Sequence, residues 1–199
     1  EVSFSSVCNF KCSYCSPQVS SKWQEEIQQH GPYPTSDGFN NLDWFKGEMP
    51  IPNMEYNPYV DAFWKWWPDL VKDLKHFRIT GGEPLLAKDT FKVLDYLIEN
   101  PMPELEVAIN SNLCVPKEIF NKFVEKIKII CGEGKVKKFK IFTSAEAYGA
   151  QAEYIRFGLD YNQWLDNIHR VLKEVPECSF TCMSTYNVLS LFSFDKFLK

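Results

Sequence analysis

The chain lacks any long apolar run and any strong excess of one charge. No apolar stretch approaches the length of a membrane-spanning helix, and no signal-peptide pattern opens the sequence. The net charge of −4 argues against nucleic-acid binding by bulk electrostatics, although a local basic groove would escape this test. These absences favour a cytoplasmic protein without a membrane or nucleic-acid partner. The first residue is Glu1 rather than methionine, so we expect the natural sequence to begin further upstream.

Histidine is scarce, and cysteine does not follow a disulfide pattern. The three histidines, His30, His76 and His169, show no metal-ligand pairing. The cysteines number seven, an odd count, and their spacings do not resemble the framework of a small secreted domain. We therefore expect reduced thiols in a cytosol-like compartment.

Length and composition suit one globular domain with a full core. The 199 residues are 45% apolar and 24% charged, which is ordinary for a globular protein. Strand-like and helix-like segments alternate along the chain. The strand-like segments are 2–7, 77–80, 105–110, 138–143 and 178–183. The helix-like segments are 61–75, 88–99, 116–130, 160–172 and 189–198.

Five strand–helix units predict an α/β fold with a parallel sheet and right-handed crossovers, which forms part of a (β/α) barrel. Pro68 should kink the first long helix or start a second segment, and Asp160 is a suitable helix cap. Such barrels often have six units. We therefore expect residues 1–199 to be a truncated core domain, with the sixth unit and any auxiliary domain beyond Lys199.

The residues with unusual chemistry follow the predicted strands. In α/β barrels, chemistry gathers where strands end and loops lead into helices. Five polar loops would face one another across one mouth, which favours an enzyme. They contain the cysteines of 8–15, then Gly81-Gly82-Glu83-Pro84, Asn110-Ser111-Asn112, Ser144-Ala145-Glu146 and Tyr186-Asn187.

Cys8, Cys12 and Cys15 form the most informative of these groups. Thiolate is a soft ligand that iron–sulfur clusters and zinc select. A 4Fe–4S cluster normally takes four cysteines, so a local set of three suggests one iron left open for a non-protein ligand. Zinc is the alternative, but structural zinc is usually closed by four ligands. Cys114, His30 or His76 could supply the fourth, although none has a conventional zinc-finger spacing.

These motifs together resemble the radical S-adenosylmethionine (SAM) superfamily. The string CNFKCSYC matches that superfamily's cysteine pattern, including the aromatic Tyr14 before the third cysteine, and a strand ending in GGEP follows. Ser111-Asn112 lies where relatives often carry Thr-Asn-Gly. Ser144-Ala145-Glu146 with Arg156 downstream resembles a segment of members with SPASM or twitch extensions.

The resemblance implies a site for a 4Fe–4S cluster and SAM. Cys8, Cys12 and Cys15 would bind three irons, and SAM would chelate the fourth. Gly81, Gly82 and Glu83 would contact the methionine amino group of SAM, because glycine lets backbone approach a ligand closely. Pro84 biases Glu83 towards an extended conformation, which would aim its side chain across the mouth.

Further SAM contacts follow from the same resemblance. They are Tyr14 beside the cluster, Ser111 and Asn112 at the methionine end, Ser144 and Glu146 at the ribose, Arg156 at the carboxylate, and Asn187 near the adenine or ribose. Each position also has a simpler explanation. Ser111-Asn112 suits a polar loop, Ser144 and Glu146 a helix start, Arg156 a surface ion pair, and Asn187 a plain turn.

Two further regions are less specific. Cys114, Cys131, Cys178 and Cys182 suit packing better than an auxiliary cluster, because their spacing differs from known cluster runs. Residues 17–57 form a loop-rich insertion with a short polar helix-like piece at 23–29. Long loops in compact domains are usually functional or mobile, so this insertion is either a substrate-facing lid or a stabilising wrap.

The sequence predicts a radical SAM enzyme whose substrate it does not identify. By family analogy, a peptide or protein side chain is the first choice, and a nucleobase or small metabolite is the second. A one-electron reductant such as flavodoxin or ferredoxin is an expected partner. The alternative from another class is a zinc- or cluster-stabilised binding domain without turnover. No residue pattern identifies a catalytic acid, base or hydrogen-abstraction partner.

Overall fold

A five-stranded parallel sheet forms the centre of the fold in the computed structural model, which describes residues 1–34 and 56–199. Every neighbouring pair of its strands is parallel. In spatial order the strands are β1 (Val2–Ser3), β3 (His76–Thr80), β4 (Met102–Asn110), β5 (Val136–Ser144) and β7 (Ser179–Met183). This order follows the sequence, as consecutive right-handed crossovers require. The predicted α/β fold and partial parallel barrel are confirmed.

Helices connect the strands. They are α1 (Ser21–His30), α2 (Pro58–Asp73), α3 (Lys88–Glu99), α4 (Lys117–Gly132), α5 (Ala150–Ile155), α6 (Tyr161–Glu174) and α7 (Phe194–Phe197), with a 3₁₀ turn at Pro84–Leu86. The predicted cap of α6 is confirmed, because the Asp160 carboxylate accepts from the Gln163 N–H at 2.9 Å. Across residues 1–34 and 56–199, no helix has both the length and the apolar character that a membrane crossing needs.

Three predicted elements differ from the structure. The first strand ends at Ser3 rather than residue 7, because the chain beyond it turns to pack on the loop after β3. The last helix is confined to Phe194–Phe197. Pro68 lies inside one continuous helix and starts no second segment. Trp67 and Val71, each 1% exposed, anchor α2 to the core on both sides of the proline.

The two faces of the sheet have opposite character. Along β3, β4 and β5 alternate side chains are buried beneath the helices, among them Ile79, Ile109 and Ile141. The side chains between them lie on the other face, the inner face of the partial barrel, and remain partly exposed. They include Arg78, Asn110 and Lys140. The packed side therefore supplies stability, while the inner face leaves polar groups accessible.

Gly81 and Gly82 let two segments of backbone come into direct contact. Gly81 has a φ of +128°, and a Cβ there would lie 2.6 Å from the Ser5 carbonyl oxygen. A Cβ at Gly82 would lie 2.3 Å from the Val7 carbonyl oxygen. The N–H of Gly82 donates to Ser5 at 3.1 Å, and the N–H of Glu83 donates to Val7 at 2.7 Å. The glycines therefore accommodate the segment that leads into the cysteines, a reason that the sequence did not reveal.

Replacing Gly82 by valine should destabilise the fold and displace the backbone segment that leads into Cys8. We expect a loss of about 2 to 3 kcal/mol in unfolding free energy, because the new side chain overlaps fixed backbone. Urea unfolding of full-length protein measures it. Gly132→Ala is the control, since a Cβ there meets nothing within 4 Å, and it should leave stability unchanged or slightly raised. Equal stability of Gly82→Val and the parent protein would contradict this packing.

Candidate functional site

The three cysteines of the first loop come together at the carboxyl edge of the sheet. All three thiols are free and partly buried. Burial raises the pKa of Cys8 to about 11 and that of Cys12 to about 12, and it also raises the pKa of Cys15. Repulsion from Cys15 contributes to the raised pKa of both Cys8 and Cys12. The three thiols are therefore partly desolvated, and Cys15 lies near enough to Cys8 and Cys12 to interact with both electrostatically.

Helix α1 holds the cysteine loop from the side of the predicted insertion. The Ser21 hydroxyl accepts from the Cys8 N–H at 3.1 Å and lies 3.2 Å from the Cys8 carbonyl oxygen, to which it can donate. The Trp23 indole N–H donates to the Cys12 carbonyl at 3.0 Å, and the Ser20 hydroxyl donates to Phe10 at 2.7 Å. The first part of the insertion thus positions the cysteine loop. Residues 35–55 lie outside the described residues, so the predicted lid or wrap stays a prediction.

A short two-stranded sheet joins the cysteine loop to a distant segment. Strand β2 (Lys11–Cys12) is antiparallel to β6 (Arg156–Phe157), and the register pairs Cys12 with Arg156. Gly158 follows with a φ of +107°, and a Cβ there would lie 2.7 Å from the Asn9 carbonyl oxygen. This pairing places Arg156 beside the second cysteine. Neither two-residue strand has enough sequence pattern to be predicted.

Arg156 and Glu146 form a buried ion pair beside Cys12. The Arg156 Nη2 lies 2.6 Å from Glu146 Oε2, and its Nε lies 3.1 Å from Oε1. Glu146 is fully buried, and Arg156 is 5% exposed. The guanidinium also directs Nη1 to the Cys12 sulfur at 3.7 Å and lies 5.2 Å from the Tyr14 ring centre. The Tyr14 hydroxyl donates to Glu146 at 3.1 Å.

This arrangement decides between the simpler explanations of Glu146 and Arg156. The surface ion pair is wrong, because the pair is buried. The helix-cap explanation is also wrong, because α5 begins at Ala150 with Gly149 at its cap and no side-chain cap bond. The predicted SAM contacts of Tyr14, Glu146 and Arg156 stay predictions. If SAM contacts these residues, it would bind to a Glu146–Arg156 ion pair that is already formed.

Glu83 is turned into the protein. Its backbone is extended, with φ −121° and ψ 106°, as Pro84 predicts. Its carboxylate does not extend freely across the mouth, since it accepts from the Ser111 hydroxyl at 2.8 Å and from the N–H groups of Asn112 and Leu85 at 2.7 and 3.0 Å. Glu83 thereby ties the loop after β3 to the loop after β4.

Asn9 completes this link and was missed by the sequence analysis. The Asn112 side-chain amide donates to the Asn9 carbonyl oxygen Oδ1 at 2.8 Å, and the Asn9 amide donates to the Cys114 backbone carbonyl at 2.8 Å. A single asparagine between two cysteines carries no pattern that would reveal these partners. Ser111 and Asn112 therefore bind Glu83 and the cysteine loop, and their predicted SAM contacts stay predictions.

The two remaining predicted contacts lie at the ends of β5 and β7. Ser144 is the last residue of β5, and its register partner is Met183. The Asn187 side chain accepts from the Leu189 N–H at 2.9 Å and donates to the Thr185 carbonyl at 2.8 Å. These bonds stabilise a local turn, which is the simpler explanation of Asn187. Its proposed place near the adenine or ribose stays a prediction.

The other four cysteines have contacts outside the cysteine loop. The Cys114 and Cys182 thiols donate to the Asp160 and Ala145 carbonyls at 3.5 and 3.8 Å. The Cys131 and Cys178 thiols are free and interact through a side-chain hydrogen bond, which lowers the pKa of Cys131. Cys114 and Cys178 are buried, Cys131 is half-buried and Cys182 is exposed. That these cysteines serve packing rather than an auxiliary cluster stays a prediction.

The donor set of the cysteine loop fits an iron–sulfur cluster better than a single ion. Within residues 1–34 and 56–199, no three His, Cys, Asp or Glu side chains converge closely enough to hold one metal ion. Zinc needs its thiolates at about 2.3 Å. A cluster takes one thiolate on each iron, so its sulfurs surround a larger body. Cys8, Cys12 and Cys15, three free and partly buried thiols within one loop, could supply those three ligands.

Comparison with known proteins agrees with this geometry. The family model described as the radical SAM superfamily matches residues 2–189. The chain therefore belongs to the radical SAM superfamily, and the predicted membership is confirmed. The match does not extend to a subtype, so the resemblance to SPASM or twitch members stays a prediction.

Two curated relatives are similar over part of the chain. The GTP 3′,8-cyclase of Nautilia profundicola is 26% identical over 121 residues, which are 61% of this chain and 29% of that protein. The GTP 3′,8-cyclase of Aliarcobacter butzleri is 25% identical over 130 residues, which are 64% of this chain and 29% of that protein. The matched region thus spans less than a third of either relative. No solved structure matches the chain.

Breaking the Glu146–Arg156 pair should be costly. We expect Glu146→Gln to lower the unfolding free energy by about 3 kcal/mol, because an uncompensated guanidinium remains buried. A double variant, Glu146→Gln with Arg156→Gln, should lose less than the sum of the single losses. Asp69→Asn is the control, since its partner Lys72 lies 2.9 Å away with both side chains exposed, and it should cost less than about 1 kcal/mol. Additive losses in the double variant would contradict the pairing.

Glu83 should make stability depend on pH. Burial raises the pKa of Glu83 to about 7, although hydrogen bonds from Asn112, Leu85 and Ser111 oppose the rise. The folded state therefore holds this proton at pH values where the unfolded chain, with a pKa of about 4.3, has lost it. The resulting stability is fully present below about pH 4.3 and is lost as the pH rises through about 7.

Glu83→Gln tests this titration, because glutamine cannot titrate. Between pH 4.5 and 7, values that bracket the usual and the raised pKa, unfolding free energy should fall more steeply in the parent protein than in the variant. Urea unfolding at a series of pH values measures both slopes. All other groups are common to both proteins, so their contributions cancel in the difference. Parallel pH curves would contradict a raised pKa for Glu83.

Proposed function

We propose that this chain is the cofactor-binding core of a radical SAM enzyme. Cys8, Cys12 and Cys15 would each bind one iron of a 4Fe–4S cluster, and SAM would chelate the fourth. When bound, these groups supply one-electron cleavage of a carbon–sulfur bond in SAM and a 5′-deoxyadenosyl radical that removes hydrogen from a substrate. The observation that carries the proposal is the set of three free, partly buried thiols in one loop, whose approach is held by the Gly81-Gly82 contact.

The surrounding residues would hold the cysteine loop rather than react. Arg156 directs an N–H towards the Cys12 sulfur, which favours the thiolate that iron binds. Asn9, Asn112 and Glu83 connect the loop to two strand ends. The N–H groups of Gly82 and Glu83 already bind Ser5 and Val7. Contact between this segment and the amino group of SAM would use carbonyl oxygens, because an amino group bound to iron has only N–H donors left to offer.

Two substrate classes have separate support. Resemblance to SPASM and twitch members favours a peptide or protein side chain. Similarity to two proteins named GTP 3′,8-cyclase favours a nucleotide, which agrees only in part with the alternative of a nucleobase or small metabolite. The matched region is 29% of each relative. The substrate of the whole protein is therefore our proposal and is not taken over from these relatives.

The expected partners follow from the proposed chemistry. One-electron cleavage of SAM requires an external reductant, for which flavodoxin or ferredoxin is suitable. All seven cysteines are free, which suits a reducing compartment and supports our proposal of a cytoplasmic location. The opposing candidate is a binding domain that uses the cysteines only for stability.

Replacing Cys12 by alanine separates these candidates. After anaerobic reconstitution we expect about four irons per chain in the parent protein, with 5′-deoxyadenosine released from SAM on reduction. Cys12→Ala should retain little iron and release no 5′-deoxyadenosine. Cys131→Ala is the matched control, since Cys131 lies in the last turn of α4 and binds Cys178, and it should keep its iron. One tightly bound zinc in the parent protein, or full iron in Cys12→Ala, would overturn the proposal.

A further inference from the structure

The inner face of the sheet carries two cations that lie outside the cysteine loop and its contacts. Arg78 on β3 and Lys140 on β5 both lie against the Phe142 ring, with their charged groups 4.7 and 5.4 Å from its centre. Arg78 Nε donates to the Asn110 carbonyl oxygen Oδ1 at 2.9 Å. We call Arg78, Asn110, Lys140 and Phe142 the inner-face cluster.

The strand register leaves a depression between the two cations. Arg78 pairs with Ala108, and Ala108 pairs with Lys140, so the three residues lie side by side across β3, β4 and β5. Their side chains point to the same face, because neighbouring residues in parallel register share an orientation. Ala108 is too small to fill the space between its neighbours. The resulting cavity of about 210 Å³ is lined by Arg78, Ala108, Lys140 and Phe142, among others.

Arg78 lines this space, and several contacts restrict its guanidinium. Its Nε is bound to Asn110, and its Nη2 lies 3.8 Å from the Met183 sulfur, a weak acceptor. The stacking on Phe142 restricts the plane of the guanidinium. A guanidinium fixed in this way loses little rotamer entropy when an anion binds to it.

The acidic group of the cavity is already neutralised. Glu106 lies two residues before Ala108 on the same face, where its carboxylate is 3.1 Å from Lys137 Nζ and 3.3 Å from His76 Nδ1. At the opposite edge, the Glu1 carboxylate lies 3.9 Å from Arg78 Nε and accepts from the Thr80 hydroxyl at 3.2 Å. The acidic group nearest Arg78 at this edge is thus the Glu1 carboxylate of the chain itself.

We propose that the inner-face cluster binds an anionic group of the substrate, a carboxylate or a phosphate. Arg78 supplies forked hydrogen bonds, and Lys140 supplies the second charge. Phe142 offers an apolar surface for the adjoining part of the substrate. This inference rests on the proposed function, which it deepens by naming the chemical class of the substrate.

The position of the inner-face cluster suits a role in binding the substrate. Asn110 is the last residue of β4 and directly precedes Ser111, while Phe142 lies two residues before Ser144. At about 3.3 Å per residue, the cations lie within about 15 Å of the strand ends. A substrate anchored there by its anionic end would extend towards the cysteine loop at the same edge of the sheet.

Direct binding of two probes tests the proposal in the reconstituted full-length protein. Tripolyphosphate represents a phosphate source, and glutarate represents a carboxylate source. Calorimetry at low salt, where charge attraction is least screened, should detect one of them. Arg78→Gln should weaken its binding about tenfold or more, and Arg78→Lys should weaken it less, because charge remains while the fork is lost. Lys140→Gln should weaken it several-fold.

Arg170→Gln is the matched control. It removes the same charge from α6, where Arg170 binds Glu174 at 2.8 Å, and it should bind the probe as the parent protein does. Preference for tripolyphosphate assigns a phosphate, and preference for glutarate assigns a carboxylate. Binding of neither probe, or equal binding by Arg78→Gln and the parent protein, overturns the anion site. Iron content is measured on the same samples. A failure to form the proposed 4Fe–4S cluster is therefore recognised independently of probe binding.

Discussion

The close backbone contact between Gly81-Gly82 and residues Ser5 to Val7 determines where the chemistry of this protein lies. Two N–H groups of the loop after β3 bind the carbonyls of Ser5 and Val7, and side chains at the glycines would prevent this approach. The segment that leads into Cys8 is thereby held over the carboxyl edge of the sheet. A cysteine triplet on a freely moving terminus would pay a larger ordering cost to surround a cluster.

A second contact holds the loop from the opposite direction. The pairing of β2 with β6 brings Arg156 to Cys12, and Glu146 compensates the buried guanidinium. A buried charge pair contributes little net stability, but its geometry is demanding, because each partner is costly without the other. Together with the Asn9–Asn112–Glu83 bonds, the pair restricts the loop to one arrangement. The loop is therefore positioned before any cofactor binds, which is the condition for tight binding.

The sheet separates stability from recognition. One face of each central strand is buried under the helices, and the opposite face carries Arg78, Asn110 and Lys140 around a depression. An open inner face exposes charged side chains without the desolvation that the core would impose. The partial barrel thus offers two different environments at one edge, soft thiols in the loop and cations on the strands. A radical SAM core needs both a cofactor site and a place for the substrate.

The sequence by itself determined the alternation of strands and helices, because hydrophobic periodicity and caps such as Asp160 are local properties. It also indicated the cysteine triplet, since three thiols within eight residues constrain one another whatever the fold. The partners of Glu83, Arg156 and Asn9 were decided only by the tertiary structure. Glu83 lies 29 positions from its partner Asn112, and Asn9 lies 103 positions from the same residue. Arg156 lies 10 positions from Glu146. No local pattern connects these partners. The same holds for Arg78, Ala108 and Lys140, which become neighbours only through the register of three parallel strands.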